Sequence, residues 1–207
     1  MKNKLVLSLV CMLSLAFVSS GSAAPNNVTI KKIVFNGSGC PPGSTQARLA
    51  RDGTSFRLLF GPQFEAEIGP GVPLIESRKN CQVLLTLNVP QGFTFALAAV
   101  DYRGSADIAS GSQGVFRATH FFQGQSRQST TMKTFNGPLR GDWRAFQAIP
   151  ITELVWAPCG VERALNINAS IRVARGSAGP RSDSQMTMDS ERGRLFTLFQ
   201  FRWKTCP

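Results

Sequence analysis

Strict two-residue alternation of apolar and polar side chains constrains this chain more than any other feature. Leu165, Ile167, Ala169, Ile171 and Val173 alternate with Asn166, Asn168, Ser170 and Arg172. Successive side chains of a strand point to opposite faces, so this segment has one apolar and one polar face, which a helix would scatter. Val83, Leu85, Leu87 and Val89 repeat the pattern against Gln82, Thr86 and Asn88. Phe93, Phe95, Leu97 and Ala99 take it up again after Pro90-Gln91-Gly92, so 82–100 reads as a hairpin. A last strand from Leu195 to Lys204 carries Phe199, Phe201 and Trp203 on one face. Phe196 and Leu198 lie on its other face, the pattern of a central strand covered on both sides at that end.

Shorter strands are predicted at 28–35, 46–50, 55–60, 63–68, 115–122, 129–135, 143–149 and 185–189. Turn signals separate them: Asp52-Gly53, Gly61-Pro62, Gly69-Pro70-Gly71, Arg103-Gly104, Asn136-Gly137-Pro138 and Gly179-Pro180. No window carries a convincing 3.6-residue apolar stripe. The chain is therefore expected to be all-β, an antiparallel β-sandwich of jelly-roll-like form.

Lys2 and Lys4 precede an apolar run from Leu5 to Val18, and Gly21-Ser22-Ala23 supplies a small-x-small cleavage pattern. Residues 1–23 read as a signal peptide and 24–207 as a single secreted domain, extracellular or periplasmic. The apolar run falls short of the roughly 20 residues of a membrane span. Cys11 follows Val10, where lipoprotein attachment wants a small residue. Four cysteines then remain, Cys40, Cys81, Cys159 and Cys206, and an even count in an exported protein reads as two disulfides. Three pairings are open. Cys40 with Cys81 and Cys159 with Cys206 is favoured, because each pair would join a strand end to an adjacent loop. Each bond would then be worth about 4 kcal/mol through loop closure.

The two lysines of the leader leave with it, so the net charge drops from +11 to +9, carried by sixteen arginines and only five lysines. Such a balance favours an anionic partner, such as an anionic polysaccharide or a cell-surface component. The basic residues are scattered, so no specific nucleic acid is expected, and the charge would equally serve to prevent self-association. Arg78 and Lys79, with Arg175, Arg181, Arg192 and Arg194, are the candidate binding positions on loops between rigid strands. Trp143 is the candidate stacking platform beside them, while Trp156 and Trp203 are expected to pack against the disulfides.

Groups for catalysis are sparse. His120 is the only histidine and shares the face of Phe116, Ala118 and Phe122, which reads as a packed core residue. No Gly-x-Ser-x-Gly elbow occurs, and oxidised cysteines leave no thiolate. No cluster of His, Cys or carboxylates has zinc-ligand spacing, and no cofactor is expected. Asp52, Asp183 and Asp189-Ser190-Glu191 offer oxygen ligands for calcium, but turn chemistry explains them as well. Glu65 and Glu67 project from one face of a strand and form the best catalytic pair, with Asp101 and Asp107 as weaker companions. A secreted carbohydrate-active hydrolase is the alternative they raise. Arg140-Gly141-Asp142 reads as a Gly-rich turn. Asn27-Val28-Thr29, Asn36-Gly37-Ser38 and Asn168-Ala169-Ser170 match the N-glycosylation sequon.

Several phrases recur in a fixed order: Ile68-Gly69-Pro70-Gly71, Arg78-Lys79-Asn80-Cys81-Gln82, Gly92-Phe93, Tyr102-Arg103-Gly104, Gly137-Pro138, Gly141-Asp142, Leu154-Val155-Trp156, Pro158-Cys159-Gly160, Leu165-Asn166-Ile167-Asn168, and Trp203 with Cys206. The ordered set resembles a family of secreted fungal and bacterial proteins catalogued as domain of unknown function 4360. Where that pattern tends to have Tyr after Gly-Asp, this chain has Trp143. The resemblance implies a secreted, cysteine-stapled protein and brings no catalytic residues. The expected function is a non-catalytic binding module for an anionic surface or polysaccharide; a purely structural extracellular protein is a further alternative.

Overall fold

A computed structural model describes residues 24–188 and 196–207. Among these residues twelve strands form two sheets packed face to face. The five-stranded sheet has the order β1 (Thr29–Asn36), β5 (Arg78–Asn88), β10 (Leu165–Ala174), β7 (Gln113–Phe122), β8 (Ser129–Asn136). The second sheet has seven strands: β2 (Thr45–Leu49), β3 (Ser55–Phe60), β4 (Glu65–Ile68), β6 (Phe93–Ile108), β9 (Leu139–Ala148), β11 (Ser184–Thr187) and β12 (Thr197–Thr205). β6 is its spine. β9 pairs with one edge of β6, from Ala99 to Ile108. β12 (pairing with 93–101) and β11 (pairing with 105–107) share the other edge. β3 and β2 extend the sheet beyond β12, and β4 extends it beyond β11. All pairings are antiparallel, as the alternation predicts, and the jelly-roll-like sandwich is what forms.

The expected hairpin across 82–100 is not one. β5 is flanked on both edges by β1 and β10, and β6 belongs to the opposite sheet. The Pro90-Gln91-Gly92 turn therefore carries the chain across the sandwich. Alternation fixes which side chains face inward, and it is the same for a hairpin and for an arch between sheets. Arg140-Gly141-Asp142 is likewise no turn. It lies within β9, opposite Asp107, Ala106 and Ser105 of β6.

An aromatic seam joins the sheets. Tyr102 lies 4.5 Å from Phe116, Phe95 lies 5.3 Å from Phe122, and Trp143 touches both Phe116 and Phe135. Gly104 makes room for the indole: a Cβ there would stand 2.6 Å from the Trp143 ring and 2.0 Å from the Thr187 carbonyl oxygen. His120 is buried in this seam, as its place beside Phe116 and Phe122 implies. The Tyr102 hydroxyl and His120 Nε2 are hydrogen-bonded at 2.5 Å, and burial raises the phenol pKa well above its ordinary value. His120 Nδ1 is buried without a hydrogen-bond partner among the described residues. Burial lowers the imidazole pKa from 6.5 to about 4, against a small opposing effect of the Ser129 backbone.

Both disulfides join the favoured pairs, Cys40–Cys81 and Cys159–Cys206. Closing 41 and 47 residues, each contributes about 4 kcal/mol in the loop-entropy account. The first is buried, and it ties the segment leading from β1 towards β2 onto the inner face of β5. The second is exposed at Cys159 and anchors the end of β12, where Cys206 N–H also donates to the Gly92 carbonyl.

Two outcomes follow from this core. Under native conditions a thiol reductant opens Cys159–Cys206 before Cys40–Cys81, since access governs attack; alkylation and mass mapping of partially reduced protein check the order. His120 is neutral when folded and has a depressed pKa, so its contribution is complete above pH 6.5 and is lost as pH falls towards 4. The full linkage amounts to about 3 kcal/mol. Urea titrations of the wild type between pH 7 and 4 will show that decline, and His120→Gln will flatten it.

Candidate functional site

The outer face of the five-stranded sheet is set by the parity of its strands. On β5, Cys81, Val83, Leu85 and Leu87 are buried, which leaves Arg78, Asn80, Gln82, Leu84 and Thr86 facing out. On β10 the same logic turns Asn168, Ser170 and Arg172 outward. Registration then lines up Asn36, Gln82, Asn168, Thr119 and Thr130 in one row across β1, β5, β10, β7 and β8. At about 4.8 Å per strand the row is about 19 Å long. Every member is a neutral hydrogen-bonding side chain, and the two threonine hydroxyls meet at 3.2 Å. Asn80, Ser170 and Arg117 form the next row. Arg78 and Arg172 stand directly opposite each other in the row beyond.

A cleft of about 830 Å³ runs over these rows, floored by Gln82, Asn168, Ser170 and Thr119, with Arg78 and Arg117 along it. Its apolar lip is Leu74 and Ile75, 85% and 80% exposed, on a 3-10 turn (Leu74–Ser77) closed by Ser77 Oγ donating to the Leu74 carbonyl at 2.7 Å. None of the five strands of this sheet contains an aspartate or a glutamate. Arg78, Arg117 and Arg172 make no side-chain hydrogen bond or ion pair among the described residues. Like charges directly opposite on antiparallel strands cost stability, and here no carboxylate relieves them.

Among the described residues, Arg78 is thus the one candidate binding position from the sequence reading that lines the cleft. Lys79 points the other way because neighbours on a strand alternate, and it is neutralised by Glu76 at 2.5 Å. Arg181 is exposed in the turn closed by Ser182 N–H to the Gly179 carbonyl and does not line the cleft. Arg192 and Arg194 fall outside the described residues, as do the leader and Asp189-Ser190-Glu191. Trp143 is buried against Phe116 and Phe135, with Nε1 donating to the Ser105 carbonyl at 3.2 Å, so it offers no exposed ring. Trp203 is buried and donates to the Gly53 carbonyl, while Trp156 is half-buried beneath Lys204. Arg117 and Arg172 carry no local signal in the sequence, because their convergence with Arg78 comes from strand pairing over long separations.

The carboxylates gather on the other sheet. Glu65 and Glu67 lie on β4, opposite Thr187 and Gln185 of β11. Glu67 opens on a cleft with Asp107, Asp183 and Arg140, in which Arg140 holds Asp107 at 2.7 Å. Asp52 accepts from the Thr54 backbone N–H and hydroxyl, which closes its turn and holds its pKa below the ordinary carboxylate value. Asp101 is nearly buried and accepts from both Arg103 and Arg144. Burial pushes its carboxyl upward, but the hydrogen bonds and charges of the two guanidiniums outweigh that and lower its pKa.

Over residues 26–206 the sequence matches the family described as domain of unknown function (DUF4360). An uncharacterized secreted protein of Arthroderma benhamiae is 36% identical over 182 residues, which is 88% of this chain and 73% of that protein. Among solved structures, TmCBM61 in complex with beta-1,4-galactotriose aligns with 86% of this chain and 90% of its own at 7% identity and a TM-score of 0.30.

The unrelieved pair on β5 and β10 has a measurable signature. Arg172→Gln will leave stability unchanged or raise it by up to about 0.5–1 kcal/mol at low salt, a gain that disappears at high salt. Urea unfolding at two ionic strengths measures this. A loss above about 1 kcal/mol would assign the guanidinium a packing role instead.

Proposed function

The chain belongs to the DUF4360 family and is a secreted protein, and from that premise we propose that it is a non-catalytic binding protein that holds an anionic polysaccharide along the cleft of its five-stranded sheet. The observation that carries the reading is the absence of any carboxylate from all five strands beneath an amide-lined floor. Asn and Gln side chains offer both donors and acceptors, and Ser and Thr hydroxyls rotate to suit, which matches the mixed demands of sugar hydroxyls. Guanidinium groups add bidentate recognition of carboxylate or sulfate substituents. Arg78, Arg117 and Arg172 supply three of them around the row of Gln82, Asn168 and Thr119.

The same surface favours a sugar polymer over single-stranded nucleic acid. Base recognition without sequence preference relies on exposed aromatic platforms, and no Trp or Tyr lines this cleft. Leu74 and Ile75 instead provide a narrow apolar edge for the less polar face of a sugar ring.

Titration calorimetry with heparin, polygalacturonate and neutral dextran tests the reading. Binding to the two polyanions and not to dextran is expected, with affinity falling between low and moderate salt. The double variant Arg78→Ala/Arg172→Ala will weaken binding about 10- to 100-fold, equivalent to about 1.4–2.8 kcal/mol. Salt-independent retention, or affinity unchanged in the double variant, would sink it.

A further inference from the structure

The outer face of the seven-stranded sheet carries a second arginine cluster of different construction. Pairing of β2 with β3 sets Arg48 opposite Arg57, and both are exposed. Pairing of β6 with β9 sets Arg103 opposite Arg144. Asp101 lies between these groups. Its carboxylate accepts from Arg103 Nη2 at 2.6 Å and Nε at 3.1 Å, and from Arg144 Nε at 2.6 Å and Nη2 at 3.1 Å. One nearly buried carboxylate thereby spends its acceptor directions on fixing two guanidiniums that remain 35% and 57% exposed.

Aromatic rings hold the planes as well. The Arg57 and Arg103 guanidiniums lie 4.8 and 5.5 Å from the centre of the Phe196 ring, and Arg144 lies 5.1 Å from that of the exposed Phe146. Stacking of this kind orients a guanidinium while its N–H edges stay free for an oxyanion. Four arginines against one aspartate leave a local excess of +3. Arg57 also borders a cleft of about 590 Å³ that contains Gln200, Arg202 and the exposed Ile151. The carboxylates Glu65, Glu67, Asp107 and Asp142 occupy the other end of this sheet, around β4 and the start of β9. On this sheet an anion is therefore steered away from β4 and the start of β9 and towards Arg48, Arg57, Arg103 and Arg144.

We infer that this face is a second anion-binding site, so that one molecule bridges two chains of the polyanion from opposite sides of the sandwich. The inference rests on the polysaccharide reading above for the first face, while the Arg48–Arg57–Arg103–Arg144 cluster is an independent observation. Two sites on opposed outer faces cannot both be reached by one short oligosaccharide, because the sheets between them are about 10 Å apart before side chains are added. Long polymer would be cross-linked, with the gain in avidity that linked sites bring.

Short heparin oligosaccharides in calorimetry, and long heparin in a turbidity assay, separate the outcomes. The wild type is expected to bind two oligosaccharides per chain and to cloud long heparin near charge balance. Arg48→Ala/Arg57→Ala touches none of the four hydrogen bonds to Asp101 and keeps the fold; it should leave one site and abolish the turbidity. Arg57→Glu should weaken the second site at least tenfold, and Arg78→Ala/Arg172→Ala should also leave one site. One oligosaccharide per wild-type chain, lost in Arg78→Ala/Arg172→Ala and untouched by Arg48→Ala/Arg57→Ala, would overturn the second face and leave the first reading standing. The reverse pattern would overturn the first reading and with it the bridging. Turbidity that persists in both double variants would overturn bridging through these faces.

Discussion

A one-residue slip of β10 between β5 and β7 would turn Leu165, Ile167, Ala169, Ile171 and Val173 out to water and bury Asn168, Ser170 and Arg172 in their place. All five apolar side chains are buried in the native register, and a fully buried Leu or Ile is worth about 1.5–3 kcal/mol. The register is therefore held by several residues at once, which no single substitution undoes. The polar row on the outer face is the other side of that same constraint. Burial on the inside places Asn168 between Gln82 and Thr119 on the outside, without any contact having to be made among the three.

Strand carboxylates are confined to one sheet, while basic residues stand on both. The strands of one carry Lys31, Lys32, Arg78, Lys79, Arg117, Lys133 and Arg172 and no acid; those of the other hold Glu65, Glu67, Asp101, Asp107 and Asp142. Folding gains nothing from this, since mixing the signs would relieve repulsion between Arg78 and Arg172. On the proposed reading, that repulsion is what the surface keeps for the sake of a ligand. Asp101 is the counterexample on the opposite sheet, where a carboxylate is buried to orient its arginine neighbours.

Strand positions are largely legible in the sequence because alternation is local. The stretch 55–60 is β3 to the residue, and the segments at 165–173 and 129–135 differ from β10 and β8 by one residue. Sheet membership is not legible: Pro90-Gln91-Gly92 joins two alternating segments, and nothing within them distinguishes pairing with each other from pairing with distant partners. That two disulfides form is readable from the even cysteine count, while their pairing is only favoured, because partners 41 and 47 residues apart are brought together by the fold. At the candidate site, Arg78 is legible and Lys79 misleads, although strict alternation already forbids both from facing one ligand. Trp143 reads as a surface residue because its burial depends on Gly104, which lies 39 positions earlier on a paired strand. The lack of acids in five strands is a matter of composition alone, visible to a count of carboxylates along each alternating segment.

Two of the three sequons, Asn36-Gly37-Ser38 and Asn168-Ala169-Ser170, have their asparagines exposed in the same row as Gln82. A host that attaches N-glycans would plant a covalent sugar on the floor of the cleft, and a second at its β1 margin. Such a molecule would fold on the same core yet carry its own occupant where a polymer would lie. Protein made in a non-glycosylating host and protein made in a glycosylating one would then be two different reagents, one open and one capped.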